Sequence, residues 1–99
     1  MAQYDVYANP DGDGLLIIVQ SDLLDTLNVR VVIPLLPRVD APIPARRLNS
    51  VFRISGVEYV LVTQFLAAVP AKILETPITN LADRHSEILD AVDMLLTGF

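Results

Sequence analysis

A chain of 99 residues is one domain's worth of sequence, and folding at that size hides roughly two-thirds of the surface an open chain exposes. With 53% hydrophobic and 19% charged residues it is too apolar for intrinsic disorder, and with no cysteine and one histidine it has no disulfide, thiolate nucleophile or multi-histidine metal cluster, so neither metal nor cofactor is expected. The net charge of −5 runs against direct nucleic-acid binding, and apolar runs no longer than Leu15–Val19 and Phe65–Val69 fall far short of a membrane span.

In chain order, Gln3–Tyr7 alternates as a strand does, and Asn9-Pro10-Asp11-Gly12-Asp13-Gly14 is a dense turn signal. Leu15–Gln20 is the short apolar run of a buried strand, which predicts a hairpin over this stretch. Val29–Ile33 is β-branched and should end at Pro34, which cannot continue a central ladder. Pro37, Pro42 and Pro44 then hold a loop extended. Val51–Ile54 and Val57–Thr63 flank Ser55-Gly56, where glycine can take the positive φ of a hairpin turn. The second of these strands is apolar on both sides and belongs in the middle of a sheet. Gln64–Ala68 reads as a helical turn or a strand, and Pro70 and Pro77 bracket a short segment, Ala71–Leu74.

From Asn80 the period becomes helical. At about 100° per residue, Leu81, His85, Ile88, Leu89, Val92, Leu95 and Leu96 form one stripe opposite Asp83, Glu87, Asp90 and Asp93. Asn80 supplies an N-cap, Asp83 a first-turn acid and Gly98 the stop. A single α+β domain over residues 1–99 follows, a small twisted antiparallel sheet with one face covered by a C-terminal amphipathic helix. The apolar surplus over what one small core can hide predicts a face kept for a second copy, hence a homodimer. The first residues carry no export signal, which predicts a cytoplasmic protein without a membrane partner.

Several groups invite chemistry. Residues 29–53 carry Arg30, Arg38, Arg46, Arg47 and Arg53 against Asp40 alone, a basic middle of +4 in a chain that is otherwise −9. It suits an acidic peptide or a phosphate backbone, or simply covers apolar surface with arginine stems. Asp11-Gly12-Asp13-Gly14 opens like a calcium loop but lacks the later ligands, so it reads as a turn. Asp22 and Asp25 are spaced for acid/base work, although Ser, Asp and Thr in this setting more often bond neighbouring backbone. The Leu23-Leu24 pair between them is either tucked beneath the loop or offered to a partner. His85 with Arg46, Arg47 or Arg53 would make a metal-free ribonuclease site, against the plainer reading of a half-buried helix histidine bonded to the backbone. Pro34-Leu35-Leu36-Pro37 fits PxxP but more simply ends a strand.

Val19-Gln20-Ser21-Asp22-Leu23-Leu24-Asp25-Thr26, followed by Arg30-Val31-Val32-Ile33-Pro34-Leu35, resembles the signature of the CcdB toxins. Val6-Tyr7, Leu66-Ala67-Ala68-Val69-Pro70 and a last helix closing in Gly98 plus one apolar residue extend the resemblance over almost the whole chain. It implies an SH3-like barrel with a C-terminal helix, forming a homodimer that is not an enzyme. Such a toxin traps DNA gyrase on cleaved DNA through the gyrase A subunit and is removed by a cognate CcdA-like antitoxin with a flexible tail. Carried over by position, the gyrase-facing residues are Leu23, Leu24, Asp93, Leu96, Thr97, Gly98 and Phe99. The antitoxin would use the proline-rich, arginine-bearing loops, with Arg38, Arg46 and Arg47 as its contacts. Where the best-studied member has Trp before the glycine, this chain has Thr97 and no Trp anywhere, so an aromatic anchor there falls to Phe99. The alternatives are a ribonuclease toxin of the MazF type and a homologue that binds antitoxin without poisoning gyrase.

Overall fold

A computed structural model describes residues 1–98. The strands are β1 (Asp5–Ala8), β2 (Leu15–Ile18), β3 (Val29–Pro37), β4 (Val51–Ile54), β5 (Val57–Leu61), β6 (Ala67–Pro70) and β7 (Thr79–Asn80), followed by one helix, α1 (His85–Thr97). All pairings are antiparallel, in the order β4-β5-β3-β2-β1-β7 with β6 also on β3, and the sheet curls into a half-barrel. This is the expected α+β architecture.

β2 organises the interior. All four of its residues are buried, and their alternation divides the core in two. Leu15 and Ile17 join Tyr4, Val6, Ile33, Leu35, Phe52 and Leu61 on the face that α1 covers with Ile88 and Ala91. Leu16 and Ile18 join Tyr7 and Val32 on the opposite face, under Leu74. The expectation of one covered face is therefore incomplete, since the turn Ala71–Ile73 and the residue after it close the second.

β3 runs straight through Pro34, contrary to the expected stop. One edge of β3 pairs with β2 through residues 32–35. Its other edge is shared, with β6 along residues 29–32 and β5 along residues 35–37. Pro34 stands where the partner changes, its carbonyl accepting from Val62 N at 2.9 Å. A missing N–H is tolerated there because neither ladder asks for it. The segment between β5 and β6 is both of its predicted alternatives in succession, a 3-10 turn at Thr63–Phe65 and then β6.

The β4–β5 hairpin forms as expected, with positive φ at both Ser55 (51°) and Gly56 (81°), the geometry of a type I′ turn. At the other hairpin, a Cβ on Gly14 would stand 2.7 Å from the Leu35 carbonyl oxygen, so β2 can lie this close to β3 only with glycine there.

The helix starts later than expected. Asn80 Oδ1 accepts from Ala82 N at 2.7 Å in a local turn just ahead of a 3-10 turn, Ala82–Arg84. Leu81 takes that turn's N-cap position and Arg84 that of α1, each without a side-chain cap bond, so Asn80 is not the helix cap expected. Gly98 closes α1 in the left-handed region at φ 79°, its N–H donating to Met94 O. The buried stripe is narrower than predicted. Ile88 and Ala91 carry it, with Leu81 and Val92 packed alongside, whereas His85, Leu89 and Leu96 lie exposed on one shoulder.

Candidate functional site

The loop between β2 and β3 settles what the leucine pair does. Ser21 Oγ accepts from Leu23 N at 3.1 Å and caps a 3-10 turn over Asp22–Leu24. That turn lifts Leu23 to 90% exposure and leaves Leu24 at 49%, so the pair is offered to solvent rather than tucked beneath the loop. Leu27 follows at 47%. Asp22 is structural, its carboxylate accepting from Gln3 N at 2.7 Å, which fits the turn-forming role rather than acid/base work.

Two side chains that the sequence does not mark as loop supports hold this loop. Gln20 and Arg30 are both buried, and their donors end on the loop's carbonyls. Arg30 reads in the sequence as part of the basic middle, and burial removes it from that patch. Its position holds a clue, since an arginine inside a β-branched strand of a buried sheet has nowhere to put its head except against backbone oxygens.

The end of α1 carries the rest of the expected gyrase face. Asp93, Leu96, Thr97 and Gly98 are all exposed, Leu96 at 69%. Thr97 Oγ1 donates to Asp93 O at 2.7 Å, so its hydroxyl turns back on the helix and its methyl remains for contact. Phe99 lies outside the described residues. The loop is tied through the N-terminal segment to the first residue of α1, the end opposite Leu96 and Thr97. Gln3 bonds to Asp22 and to Val19, while the buried Tyr4 bonds through its hydroxyl to His85 Nδ1 at 2.6 Å. Burial pushes the Tyr4 phenol above its ordinary pKa, keeping it a neutral hydroxyl.

The remaining arginines separate into two places. Arg38 and Arg53 share Glu58, at 3.5 and 4.0 Å, and flank an open groove of about 450 Å³ with Pro37, Val39 and Val57. Arg47, at φ 67°, makes a two-pronged ion pair with Asp90 of α1 at 2.8 and 3.0 Å, while Arg46 is exposed beside it in sequence. Hydrogen bonding to Arg47 holds the Asp90 carboxyl below its ordinary pKa. Of the expected antitoxin contacts, Arg38 and Arg47 are engaged by different acids, Glu58 and Asp90, and Arg46 is exposed. His85 is more exposed than its stripe position predicts, and its partner is a tyrosine hydroxyl rather than the backbone. Its ring lies edge-on to Tyr4, while Arg47 and Arg53 are bonded to acids on other elements.

No helix among the described residues is long and apolar enough to cross a membrane. The family model for the CcdB protein matches residues 3–98, so it spans the exposed leucine turn, both arginine groups and the helix end together. The chain therefore belongs to the CcdB family, the toxins of toxin-antitoxin systems.

Proposed function

We propose that the protein acts as a non-catalytic poison of DNA gyrase, seating its leucine turn and the end of α1 against the A subunit and trapping the enzyme on cleaved DNA. The presentation of Leu23 at 90% exposure on a capped turn carries this reading. A large apolar side chain held clear of its own fold loses nothing internally by docking and gains the burial of its whole surface, worth roughly 1.5–3 kcal/mol. Leu96 offers a second apolar contact on α1. Family membership supports the choice of target, and two copies acting on a twofold enzyme in the cytoplasm fit the apolar surplus of the chain. A cognate antitoxin with an acidic tail would meet Arg38 and Arg53 in the groove, with Arg46 and Arg47 nearer α1.

Plasmid supercoiling by gyrase tests the reading. Added protein should stop supercoiling and accumulate cleaved DNA, and Leu23→Ala with Leu24→Ala, or truncation before Thr97, should relieve the block. Full inhibition by the truncated chain removes the helix end from the site. Undisturbed supercoiling by the intact protein rejects gyrase as the target.

A further inference from the structure

Arg30 is only 8% exposed, and among the described residues it has no carboxylate partner. Its guanidinium donates instead to three backbone carbonyls, those of Leu27, Val29 (2.8 Å) and Asp25 (2.9 Å). Gln20, 9% exposed, works from the other side. Its Nε2 donates to Leu24 O (3.0 Å) and Val29 O (3.3 Å), and its Oε1 accepts from Val31 N (3.0 Å). The carbonyls of residues 24, 25, 27 and 29 are all held by these two side chains. A buried cation answered only by carbonyl dipoles is a costly way to fill a core position, which an apolar side chain would fill at no such cost. What the planar fork supplies, and an apolar residue does not, is simultaneous anchorage of several turns of a loop that has no ladder of its own.

We infer that Gln20 and Arg30 are positioning residues, which hold the Leu23-Leu24 turn in the shape that docks so that binding carries little ordering cost. The inference rests on the reading of that turn as target-facing.

Two full-length variants test it. Arg30→Met keeps the stem and removes every donor. Gln20→Glu keeps the acceptor for Val31 N but sets an oxygen against the Leu24 and Val29 carbonyls. Each is checked by thermal unfolding, by amide hydrogen exchange over residues 22–28, and by affinity for the gyrase A subunit, alone and combined with Leu23→Ala. Exchange in the loop should quicken while the β2 and β3 amides keep their protection, and affinity should fall about tenfold. Leu23→Ala should cost less in either background than in the wild type, because a turn already out of place gains less from its leucine. A purely structural role lowers the unfolding temperature and leaves both affinity and the Leu23 penalty unchanged, and that result overturns the inference. If the wild type itself fails to bind gyrase, the target is wrong, and loop exchange alone decides, with unchanged exchange in both variants overturning the inference. Should Arg30→Met not fold, the same measurements on Gln20→Glu decide in the same way.

Discussion

Gly14 shows how one backbone contact constrains a residue choice. Its missing Cβ is what lets the β1–β2 turn lie on β3, and the atom in the way is the Leu35 carbonyl oxygen, part of a strand bonded on both edges that cannot swing aside. Gly14→Ala should therefore destabilise the protein by about 1–3 kcal/mol, the usual cost of overpacking, read from urea unfolding. Gly12 is the contrast, since a Cβ there meets only Asn9 Nδ2 at 3.6 Å. Substitution of Gly12 by Ala should leave the midpoint nearly unmoved. A different residue-scale effect attaches to Asp90, whose carboxyl is held below its ordinary pKa by Arg47. A depressed carboxylate adds stability that is complete above its unfolded pKa and is lost as pH falls through the folded value. Acid titration of the wild type should show this loss below about pH 4, and Asp90→Asn should not. Because both partners are exposed, molar salt should shrink the difference between the two curves.

At the scale of elements, α1 holds the first core through very few side chains. Ile88 and Ala91 are its fully buried residues, both 0% exposed. Ile88→Ala should cost about 2–5 kcal/mol, whereas Leu89→Ala on the exposed shoulder should cost far less, a comparison that thermal unfolding makes directly. Periodicity makes the helix legible but not its rotation, because an apolar residue at a stripe's edge looks the same in sequence whether covered or displayed. Here Leu89 and Leu96 turn out to be displayed. The same ambiguity attends Leu23-Leu24, where alternation says nothing inside a turn and the direction is set by the Ser21 cap together with the side chains that hold the loop's carbonyls. Turn chemistry is legible wherever it is local, as in Ser55-Gly56 and Gly98. It fails at Pro34, where the permissive circumstance is a change of partner strand that lies far away in sequence. Buried polar anchors are hidden for a related reason. Arg30 reads as charge and Gln20 as the last residue of a buried strand, and the carbonyls they satisfy come within reach only in the fold.

For the molecule as a whole, the division of the interior by β2 leaves each core small, with one helix over the first and one short turn over the second. Large apolar side chains remain outside both, among them Leu27, Val29 and Phe65 at 47%, 38% and 52% exposure. Val29 opens β3, and Phe65 ends the turn that leads into β6, whose exposed alanines pair with β3 along one edge. Water contact at these positions costs stability that a second copy can recover. If a second copy covers these side chains, it binds only the folded form, and the unfolding temperature must rise with protein concentration. Thermal unfolding across a hundredfold range of concentration should therefore show a steady upward shift, matched in sedimentation by a mass near twice 10.9 kDa. Phe65→Ser should reduce both the shift and the dimer mass while sparing the buried core. An unfolding temperature that ignores concentration, together with a mass of one chain, would mean that the apolar surface faces other proteins only, and that the protein acts as a single copy.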